Sequence, residues 1–282
     1  MKKILLTGKN GQLSIAVSEY LNGKSLSSER ISLRGSEWQS IDLTDYSTIV
    51  HIAGVVPKNG VKPEDFYNVN YRLTEEFAKK AKESGVKHFI YLSSMSVYGI
   101  EPQISVKKGT ITKKTPCLPK SDYGKSKLLA EESLKKLQDE NFKLTIIRTP
   151  SIYGKGKTEY LDQYRHLVEK FNRIPKAFVN RYKSIICIDN LCELIYLIIK
   201  NEITGIICPD DGKISAFDIC KAINPKKGIS KLFGVIFSIL QFSDRIRDYY
   251  GAICYSSDLT DIFNGRYRVC DFDIAIERSY ER

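Results

Sequence analysis

The chain opens with a strand, a glycine-containing turn and a helix in immediate succession, and this order restricts the fold more than any other feature. Lys3–Thr7 is a short apolar run that ends at Gly8, and Gly11 opens an amphipathic stretch that continues to Leu21. Helices that connect neighbouring strands are typical of parallel sheets in α/β proteins. The chain therefore begins like the first unit of such a sheet.

The same alternation continues to about residue 150. Further strands are predicted at Ile31–Leu33, Thr48–Ile52, His88–Leu92 and Leu144–Ile147. Helical periodicity marks Glu64–Ser84 and the segment after Ser121, whereas residues 99–121 have the composition of a polar loop. No obvious helix separates the second strand from the third. The pattern predicts an α/β protein with a Rossmann-type, doubly wound parallel sheet.

The pattern loosens after Pro150, where we expect a smaller, mainly helical C-terminal substrate lobe. Its predicted elements are helices near Tyr160–Phe171, Asn190–Lys200 and Phe217–Ala222, strands near Ser184–Ile188 and Ile203–Ile207, and a mostly helical tail from Ile229. We divide the chain into a dinucleotide-binding domain, residues 1–155, and a substrate-binding lobe, residues 156–282. Part of 180–200 is expected to return to the first domain. The lobe would lie at the carboxyl ends of the strands, where open α/β sheets bind ligands.

Composition favours a globular protein with anionic partners. A hydrophobic fraction of 42% and a charged fraction of 27% are ordinary for a globular protein, and apolar runs such as Leu232–Leu240 are too short for membrane insertion. Seven cysteines at irregular spacings predict reduced thiols, no metal site and a cytoplasmic protein. The net charge of +11 favours an anionic partner, which is nucleic acid, an acidic membrane surface or a phosphorylated small molecule. Without a long basic run we expect no nucleic-acid partner, and salt-sensitive binding to RNA or DNA would contradict this.

The turn after the first strand has the context that a dinucleotide-binding loop requires. Gly8 would permit the tight turn and Gly11 would let the backbone approach a pyrophosphate at the helix N-terminus, while Ser14 replaces the usual third glycine. The cofactor residues predicted at this turn are Gly8, Lys9, Asn10, Gly11, Gln12 and Leu13. An ordinary strand-to-helix turn is the alternative interpretation.

The end of the second predicted strand bears on the choice between NAD and NADP. An acidic residue there would bind the ribose hydroxyls, whereas an arginine accommodates a 2′-phosphate. Arg34 follows this strand, and Glu37 is the first acidic residue after it. The cofactor is therefore predicted to be NAD(P) with a modest preference for NADP, and a surface role for Arg34 is the alternative.

Tyr123-Gly124-Lys125-Ser126-Lys127 places a phenol and an ammonium one helical turn apart. A phenol with a pKa of about 10 is a poor base at neutral pH, and a nearby cation would stabilise its phenolate. The spacing alone is weak, since chance pairs are expected among 17 tyrosines and many lysines, and a solvated helix face is the alternative.

Four further landmarks stand at or near predicted strand ends: His51-Ile52-Ala53-Gly54, Asn68-Val69-Asn70, Ser93 to Gly99 and Arg148 to Gly154. With the glycine loop and the Tyr123/Lys127 pair, they resemble the extended short-chain dehydrogenase/reductases, specifically the NAD(P)-dependent nucleotide-sugar epimerase/dehydratase family. The resemblance covers about the first 155 residues and continues more weakly through Ser184 to Leu191.

The resemblance implies a role for each matching residue. Tyr123 would be the acid/base on the sugar hydroxyl or ketone, Lys127 would hold the nicotinamide ribose and lower the tyrosine pKa, and Ser94 would bind the reacting oxygen. Ala53 and Gly54 would pass beneath the cofactor, and Asn70 would order the backbone or a water. The residues expected to contact substrate are Ser94, Ser96, Ser151, Tyr153, Arg181 and Lys183. Arg181 and Lys183 are candidates for the substrate diphosphate, with plain solvation as the alternative.

Family members that dehydrate the sugar carry an Asp-Glu pair where this chain has Met95 and Ser96. The resemblance therefore implies a nucleoside-diphosphate-sugar 4-epimerase or 4-ketosugar reductase that transfers a hydride, and not a 4,6-dehydratase. A non-catalytic dinucleotide-sensing regulatory protein on the same fold is the alternative. A homodimer through Glu64–Ser84 and Tyr123–Leu137 is an expectation from the family.

Overall fold

The computed structural model describes residues 3–156, 159–240 and 242–280, and these form two compact units. The first unit contains segments 3–99, 116–149 and 192–208, and the second contains 100–115, 150–191 and 209–280. No helix among the described residues is long and apolar enough to cross a membrane.

The first unit is built on a parallel sheet of six strands. Its elements in chain order are β1 (Lys3–Thr7), α1 (Gln12–Gly23), β2 (Ser28–Ile31), β3 (Tyr46–His51), α2 (Pro63–Asp65, Phe66–Leu73 and Thr74–Glu83), β4 (His88–Ser94), α3 (Asp122–Leu137), β5 (Lys143–Thr149), α4 (Ile188–Asn201, from Cys192 onward) and β6 (Gly205–Ile207). The strand order is β6-β5-β4-β3-β1-β2, and each neighbouring pair is parallel. The predicted α/β class and doubly wound sheet are confirmed.

The strand order reverses between β1 and β3, and this is where open α/β sheets bind ligands. Because all six strands are parallel, the residues that follow β1, β3 and β4 meet at one edge of the sheet. The sheet is buried on both faces, as is typical of parallel sheets: Leu5, Ile49 and Phe89 on one face and Leu6, Val50 and Ile90 on the other are all 0% exposed. Phe77 of α2 and Leu134 of α3 belong to the same core cluster.

The second predicted strand begins three residues too late and ends two residues too late. The observed β2 is Ser28–Ile31 and not Ile31–Leu33. The apolar Leu33 that suggested a longer strand is instead buried in the core together with Trp38, which lies on a short 3₁₀ turn, Glu37–Ser40. Only this turn separates β2 from β3, in agreement with the absence of a predicted helix there.

The predicted polar loop at 99–121 also contains structure. Within it, Val106–Gly109 is helical, and Thr110–Ile111 pairs in parallel with Cys254–Tyr255, both in the second unit. Directly before it, Met95–Tyr98 is a 3₁₀ turn. Its polar sequence gave no periodic signal because these elements are two to four residues long.

The second unit is mainly helical, with short strand pairs. Its longer helices are Glu159–Lys170, Ala216–Ile223, Lys231–Ile239, Asp244–Tyr250 and Phe272–Ser279. Its other strand pairs are Ser151–Tyr153 with Ile185–Cys187, Tyr182–Lys183 with Ile214–Ser215, and Ile174–Pro175 with Ile229–Ser230. Tyr153, Tyr164, Ile185 and Ile219 lie in its core cluster.

Candidate active site

The turn between β1 and α1 has the backbone that an anion-binding loop needs. Gly8 has φ +88°, a left-handed conformation that favours glycine, and the Gly11 N–H donates to the Gly8 carbonyl at 2.8 Å. Gly11 caps α1 without a side-chain hydrogen bond, and the first turn of α1 holds no acidic residue. The helix N-terminus therefore keeps its positive end for an anionic ligand.

Ser14, in the place of the third glycine, is fully buried in α1. Its Oγ has no hydrogen-bond partner among the described residues. A side chain of this size is accommodated there, so the substitution is compatible with close packing of α1 on the sheet.

A buried chain of hydrogen bonds holds the loop after β3 against β1. The Thr7 Oγ1 accepts from the backbone N–H groups of Ile52 and Ala53, each at 3.0 Å. Its hydroxyl proton is thereby directed to Nδ1 of His51 at 3.2 Å, and His51 Nε2–H donates to Thr74 Oγ1 at 3.0 Å. Burial lowers the pKa of His51 to about 3, with a smaller contribution from Lys127, so the ring is neutral and structural at physiological pH.

Asn70 fixes the next two residues of that loop. Its Nδ2 donates to the Val55 carbonyl at 2.9 Å, and its Oδ1 accepts from the Val55 N–H at 2.7 Å. A Cβ on Gly54 would lie 2.9 Å from Asn70 Oδ1 and 3.5 Å from Lys127 Nζ. Only glycine therefore lets the backbone at residue 54 lie this close to the Asn70 side chain. Asn70 lies in the π-helical stretch Phe66–Leu73, a feature that helical periodicity does not reveal.

The N-terminus of α3 lies against the turn that follows β4. Ser121 Oγ caps the helix by accepting from the Gly124 N–H at 3.1 Å. A Cβ on Gly124 would lie 2.6 Å from the Ser96 carbonyl oxygen, so glycine is required for the helix to approach this turn. The glycine between Tyr123 and Lys127 therefore brings both side chains of the predicted pair to the end of β4.

Lys127 is 5% exposed and its Nζ donates to the Leu92 carbonyl at 2.8 Å. The ammonium also lies 4.8 Å from the ring centroid of Tyr91. Burial lowers the pKa of Lys127 to about 8, and Glu131 opposes this. An ammonium has three donors, so one bond to Leu92 is compatible with a ligand hydroxyl on the same group.

Tyr123 is partly exposed, and its ring lies edge-on to Phe66 at a centroid distance of 5.9 Å. Burial raises the pKa of Tyr123, and a hydrogen bond with the Ser94 side chain acts in the opposite direction. The prediction that Lys127 lowers the pKa of Tyr123 is wrong for this geometry, because the Lys127 ammonium is turned toward the Leu92 carbonyl and the Tyr91 ring. Ser94 and Ser96 are joined by a 3.1 Å bond between their hydroxyls.

A buried ion pair that the sequence did not reveal supports this face of α3. Glu131 is fully buried, and Arg148 of β5 donates to it through Nε and Nη2, at 3.0 Å and 2.6 Å. Ser93 Oγ donates to the same carboxylate, and Arg148 Nη1 donates to the Tyr98 hydroxyl at 2.9 Å. Glu131 lies one helical turn beyond Lys127, so it fixes the angle at which α3 presents that lysine.

Arg34 and Glu37, the two charged residues on which the predicted choice between NAD and NADP depends, follow β2. Arg34 is exposed, and its backbone N–H donates to Ser32 Oγ at 3.1 Å. A carboxylate oxygen of Glu37 folds back to within 2.6 Å of the place where a Cβ on Gly35 would stand. Lys9 and Asn10 are exposed in the neighbouring loop, where the Lys9 carbonyl accepts from Arg30 at 2.9 Å.

The remaining predicted substrate residues lie in the second unit. Ser151 is exposed, and Tyr153 is fully buried with its hydroxyl donating to Asp211 at 2.7 Å. The Arg181 guanidinium stacks 3.9 Å from the Phe178 ring centroid, and Lys183 Nζ donates to the Asp248 carbonyl at 3.1 Å. The hydroxyl of Tyr153 is thus engaged inside the core, and substrate contacts by these four residues remain predictions.

The sequence of this chain is similar to that of a known enzyme family. A profile of the NAD dependent epimerase/dehydratase family matches residues 4–179. A UDP-glucose 4-epimerase of Vibrio cholerae is 30% identical over 217 residues, which are 69% of this chain and 65% of that protein. The N-acetyl-alpha-D-glucosaminyl-diphospho-ditrans,octacis-undecaprenol 4-epimerase of Escherichia coli O157:H7 is 28% identical over 173 residues, 59% of this chain and 50% of that protein. The chain thus spans two thirds or less of the length of these relatives.

A solved structure agrees in fold. The Bordetella bronchiseptica enzyme WbmG was crystallised with NAD and UDP. Its alignment with this chain includes 98% of this chain and 92% of the WbmG chain, with a TM-score of 0.69 and 16% sequence identity. At that identity the likeness establishes the fold alone. The match over residues 4–179 includes the glycine loop, Asn70 and the Tyr123/Lys127 pair, and the chain belongs to the NAD dependent epimerase/dehydratase family.

Proposed function

We propose that this chain is a nucleotide-sugar 4-epimerase or 4-ketosugar reductase that uses a nicotinamide dinucleotide. The observation that carries the proposal is the convergence of Ser94, Tyr123 and Lys127 at the carboxyl end of β4, beside Gly54. A sensing protein needs the glycine loop, but it has no need of a buried lysine and a partly buried phenol at the same edge. The non-catalytic alternative is therefore the weaker one.

The residues present fit a dinucleotide. Gly8 and Gly11 leave the α1 N-terminus open to a diphosphate, and Gly54 places backbone without a side chain beside Asn70 and Lys127. Lys127 would donate to the ribose hydroxyls of the nicotinamide half. The bound cofactor supplies the acceptor for the electron pair when a sugar alcohol becomes a ketone.

Tyr123 would move the proton. Its raised pKa keeps the phenol protonated at neutral pH, so it is suited to donate to the oxygen of a 4-ketone as that ketone is reduced. In the reverse direction, a Tyr123 phenolate would be stabilised by accepting the Ser94 hydroxyl proton, which Ser94 otherwise donates to Ser96 Oγ at 3.1 Å. Ser94 is held by Ser96, whose N–H and hydroxyl both lie 3.1 Å from Ser94 Oγ.

Loss of water from the sugar is not part of the proposed reaction. Dehydration needs an acid and a base near the departing hydroxyl. Met95 is buried and carries no titratable group, and Ser96 ends in a neutral hydroxyl. The 3₁₀ turn thus offers no carboxyl group at these two positions.

The proposed substrate is a nucleoside-diphosphate sugar. The Vibrio cholerae relative is named for UDP-glucose, and WbmG was crystallised with UDP. The second candidate is a polyprenyl-diphosphate sugar, since the Escherichia coli relative is named for such a compound. The exposed Ser151 and the half-buried Arg181 are the proposed contacts to either diphosphate, with Tyr153 and Lys183 as further candidates.

For the cofactor we propose NAD(P) with a modest preference for NADP. Exposed Arg34 is positioned after β2 to meet a 2′-phosphate. The Glu37 carboxylate beside Gly35 acts against this, because it would repel the phosphate and accept from ribose hydroxyls. The preference is therefore expected to be small.

We also propose a cytoplasmic location and a homodimer through α2 and α3. The seven cysteines are free thiols, as expected in a reducing compartment. Leu129 of α3 is 37% exposed, which provides apolar surface for a partner helix. Sedimentation velocity of Leu129→Glu would show a loss of dimer if α3 forms the interface.

Tyr123→Phe tests the proposed function, with Tyr67→Phe as the matched control. Tyr67 donates to Asp122 at 2.9 Å, so its loss removes a neighbouring hydroxyl and leaves Tyr123 intact. Turnover of UDP-glucose, UDP-N-acetylglucosamine and dTDP-4-keto sugars should fall about 10²- to 10⁴-fold in Tyr123→Phe. Mass spectrometry of cofactor retained by each protein checks binding. Equal turnover in the two variants would remove Tyr123 from the reaction.

The same screen separates the two reaction types. An epimerase keeps its cofactor through the cycle and turns over without added nucleotide. A reductase consumes added NADPH or NADH in proportion to product. Retained cofactor with no turnover of any sugar would favour the sensing alternative.

A further inference from the structure

The helix Lys231–Ile239 of the second unit turns an apolar face outward. The outward positions on the helix are three or four residues apart and so lie along one side of it. This face and the residues that follow it, here called the outer stripe, consist of Leu232, Val235, Ile236, Ile239, Leu240 and Phe242, which are 42–77% exposed. They make up six of the fifteen large apolar side chains exposed among the described residues, so the stripe is a concentrated patch and not scattered surface.

The opposite side of the helix is fixed to the body of the unit. Phe233 lies 6.2 Å from the Phe171 ring, and its N–H donates to the helix cap Ser230 at 3.1 Å. A Cβ on Gly234 would lie 2.2 Å from the Lys176 carbonyl oxygen, so the backbone is in close contact there. The helix therefore cannot rotate to bury the outer stripe without losing the close contact between Gly234 and the Lys176 carbonyl.

The surroundings of the stripe are basic. Residues 224–242 contain three lysines and no acidic residue. Lys226 and Lys231 are exposed, whereas Lys227 donates to the Val168 carbonyl. Lys176, whose carbonyl faces Gly234, is also exposed. The next acid along the chain, Asp244, is paired with Arg247 at 2.7 Å.

We propose that the outer stripe docks on the surface of a membrane that contains anionic lipids. An apolar helix face beside exposed lysines is the pattern of helices that lie in the headgroup region. Nine residues of helix are too few to span a bilayer, so the helix would lie along the surface. A second copy of the chain would equally bury the apolar face, but the same lysines would then face each other across or beside the interface. Nothing in this proposal depends on the sugar chemistry.

The test is sedimentation of the full chain with vesicles of phosphatidylcholine alone or of phosphatidylcholine with phosphatidylglycerol in equal parts. We expect wild type to sediment with the anionic vesicles and to remain in the supernatant with the neutral ones. Leu232→Ser/Ile239→Ser should weaken the partition coefficient at least about 100-fold, because two exposed apolar side chains lose their burial in the interface. Val56→Ser/Val269→Ser removes two similarly exposed side chains elsewhere and should bind like wild type.

A second pair of variants tests the charge. Lys226→Gln/Lys231→Gln should lower binding to the anionic vesicles about 30-fold, whereas Lys107→Gln/Lys108→Gln, an exposed pair elsewhere in the unit, should have little effect. Circular dichroism verifies that each variant is folded, and retained sugar turnover keeps the result separate from the proposed function.

Three outcomes would overturn the proposal. The first is that wild type sediments with neither kind of vesicle. The second is that Leu232→Ser/Ile239→Ser binds the anionic vesicles as wild type does. The third is a dimer of wild type, seen by sedimentation velocity without vesicle binding, that Leu232→Ser/Ile239→Ser dissociates. That result would assign the outer stripe to a second copy of the chain.

Discussion

Each unit of this protein buries a lysine that the sequence marked as functional, and the two have nearly the same electrostatics. Lys127 is 5% exposed and Lys183 is 3% exposed. Each donates to a backbone carbonyl, that of Leu92 at 2.8 Å and that of Asp248 at 3.1 Å. Burial lowers the pKa of both to about 8. A perturbed pKa therefore does not distinguish a candidate catalytic lysine from a structural one.

The neighbours of the two lysines do distinguish them. Lys127 Nζ lies 3.5 Å from the position that a Cβ on Gly54 would occupy. Gly54 follows β3, so this backbone without a side chain stands at the carboxyl edge of the parallel sheet. Lys183 lies on a two-residue strand paired with Ile214–Ser215 and bridged to Ile253. The first is beside an open edge suited to a ligand, whereas the second is enclosed by short strands of its own unit.

The largest expected difference between the lysines is in catalysis. We predict that Lys127→Met loses about 10²- to 10⁴-fold in kcat, because the ammonium that would hold the nicotinamide ribose in place is gone. Lys183→Met should keep kcat within about tenfold and, if Lys183 reaches the diphosphate, raise KM. Steady-state kinetics of both variants on the same nucleotide sugar measures this. Equal losses of kcat would remove the distinction drawn from their neighbours.

The carboxylate–arginine pairs of the two units should differ next in stability. Arg148 and Glu131 have side chains that are 6% and 0% exposed, whereas Arg268 is 34% exposed beside Asp210. Arg148→Met leaves a buried carboxylate without its partner and should lower the free energy of unfolding by about 3–5 kcal/mol. Arg268→Met should cost less, about 1–2 kcal/mol, because the buried Asp210 keeps its hydrogen bonds from Ser184 and the Gly212 N–H. Urea unfolding compares them, and similar losses would show that Glu131 is less isolated than its burial indicates.

The pH dependence of stability should be alike for the two lysines. Both pKa values fall from 10.5 unfolded to about 8 folded, so the unfolded chain binds more protons between these values. The free energy of unfolding therefore rises with pH in that window, by about 1.4 kcal/mol per pH unit for each lysine. Below about pH 8 the cost of burying each charge is fully present.

Unfolding of Lys127→Met and Lys183→Met at several pH values between about 8 and 10.5 isolates this effect. The difference between wild type and each variant cancels the titration of the many buried tyrosines. In each variant, the free energy of unfolding should rise less steeply with pH than in wild type, by about 1.4 kcal/mol per pH unit. A slope missing in only one variant would mean that the other lysine keeps an ordinary pKa and is more solvated than its 3–5% exposure indicates.

The fold class of the first unit could be predicted because its sequence signals are local. Gly8 and Gly11 lie between a strand and a helix, and Tyr123 and Lys127 lie one turn apart, so a short window contains each motif. The ion pair of Glu131 with Arg148 was missed because it joins residues 17 apart on a helix and a strand, and each alone has an ordinary alternative on the surface. The π-helical turn that places Asn70 leaves the apolar spacing of its helix nearly unchanged.

The second unit was less predictable for the same physical reason. Tyr153 follows a predicted strand, as a substrate residue would, yet its hydroxyl is taken by Asp211, 58 positions later in the chain. Asp211 also accepts from the Cys187 N–H and from Asn190. Contacts of this range depend on how short strands pair, and no window of the sequence encodes that pairing.

The smallest expected effect concerns the two arginines proposed to meet phosphate, the exposed Arg34 in the first unit and the half-buried Arg181 in the second. Arg34→Ala should reduce the preference for NADPH over NADH about fivefold, as expected for one exposed ion pair worth about 1 kcal/mol. Glu37→Gln should increase that preference, because the carboxylate beside Gly35 no longer repels the phosphate. Arg181→Ala should leave the ratio unchanged, since the Arg181 guanidinium stacks on Phe178. Fluorescence titration with both nucleotides gives the ratio. If Arg34→Ala leaves it unchanged, Arg34 is a surface residue and the proposed preference for NADP is lost.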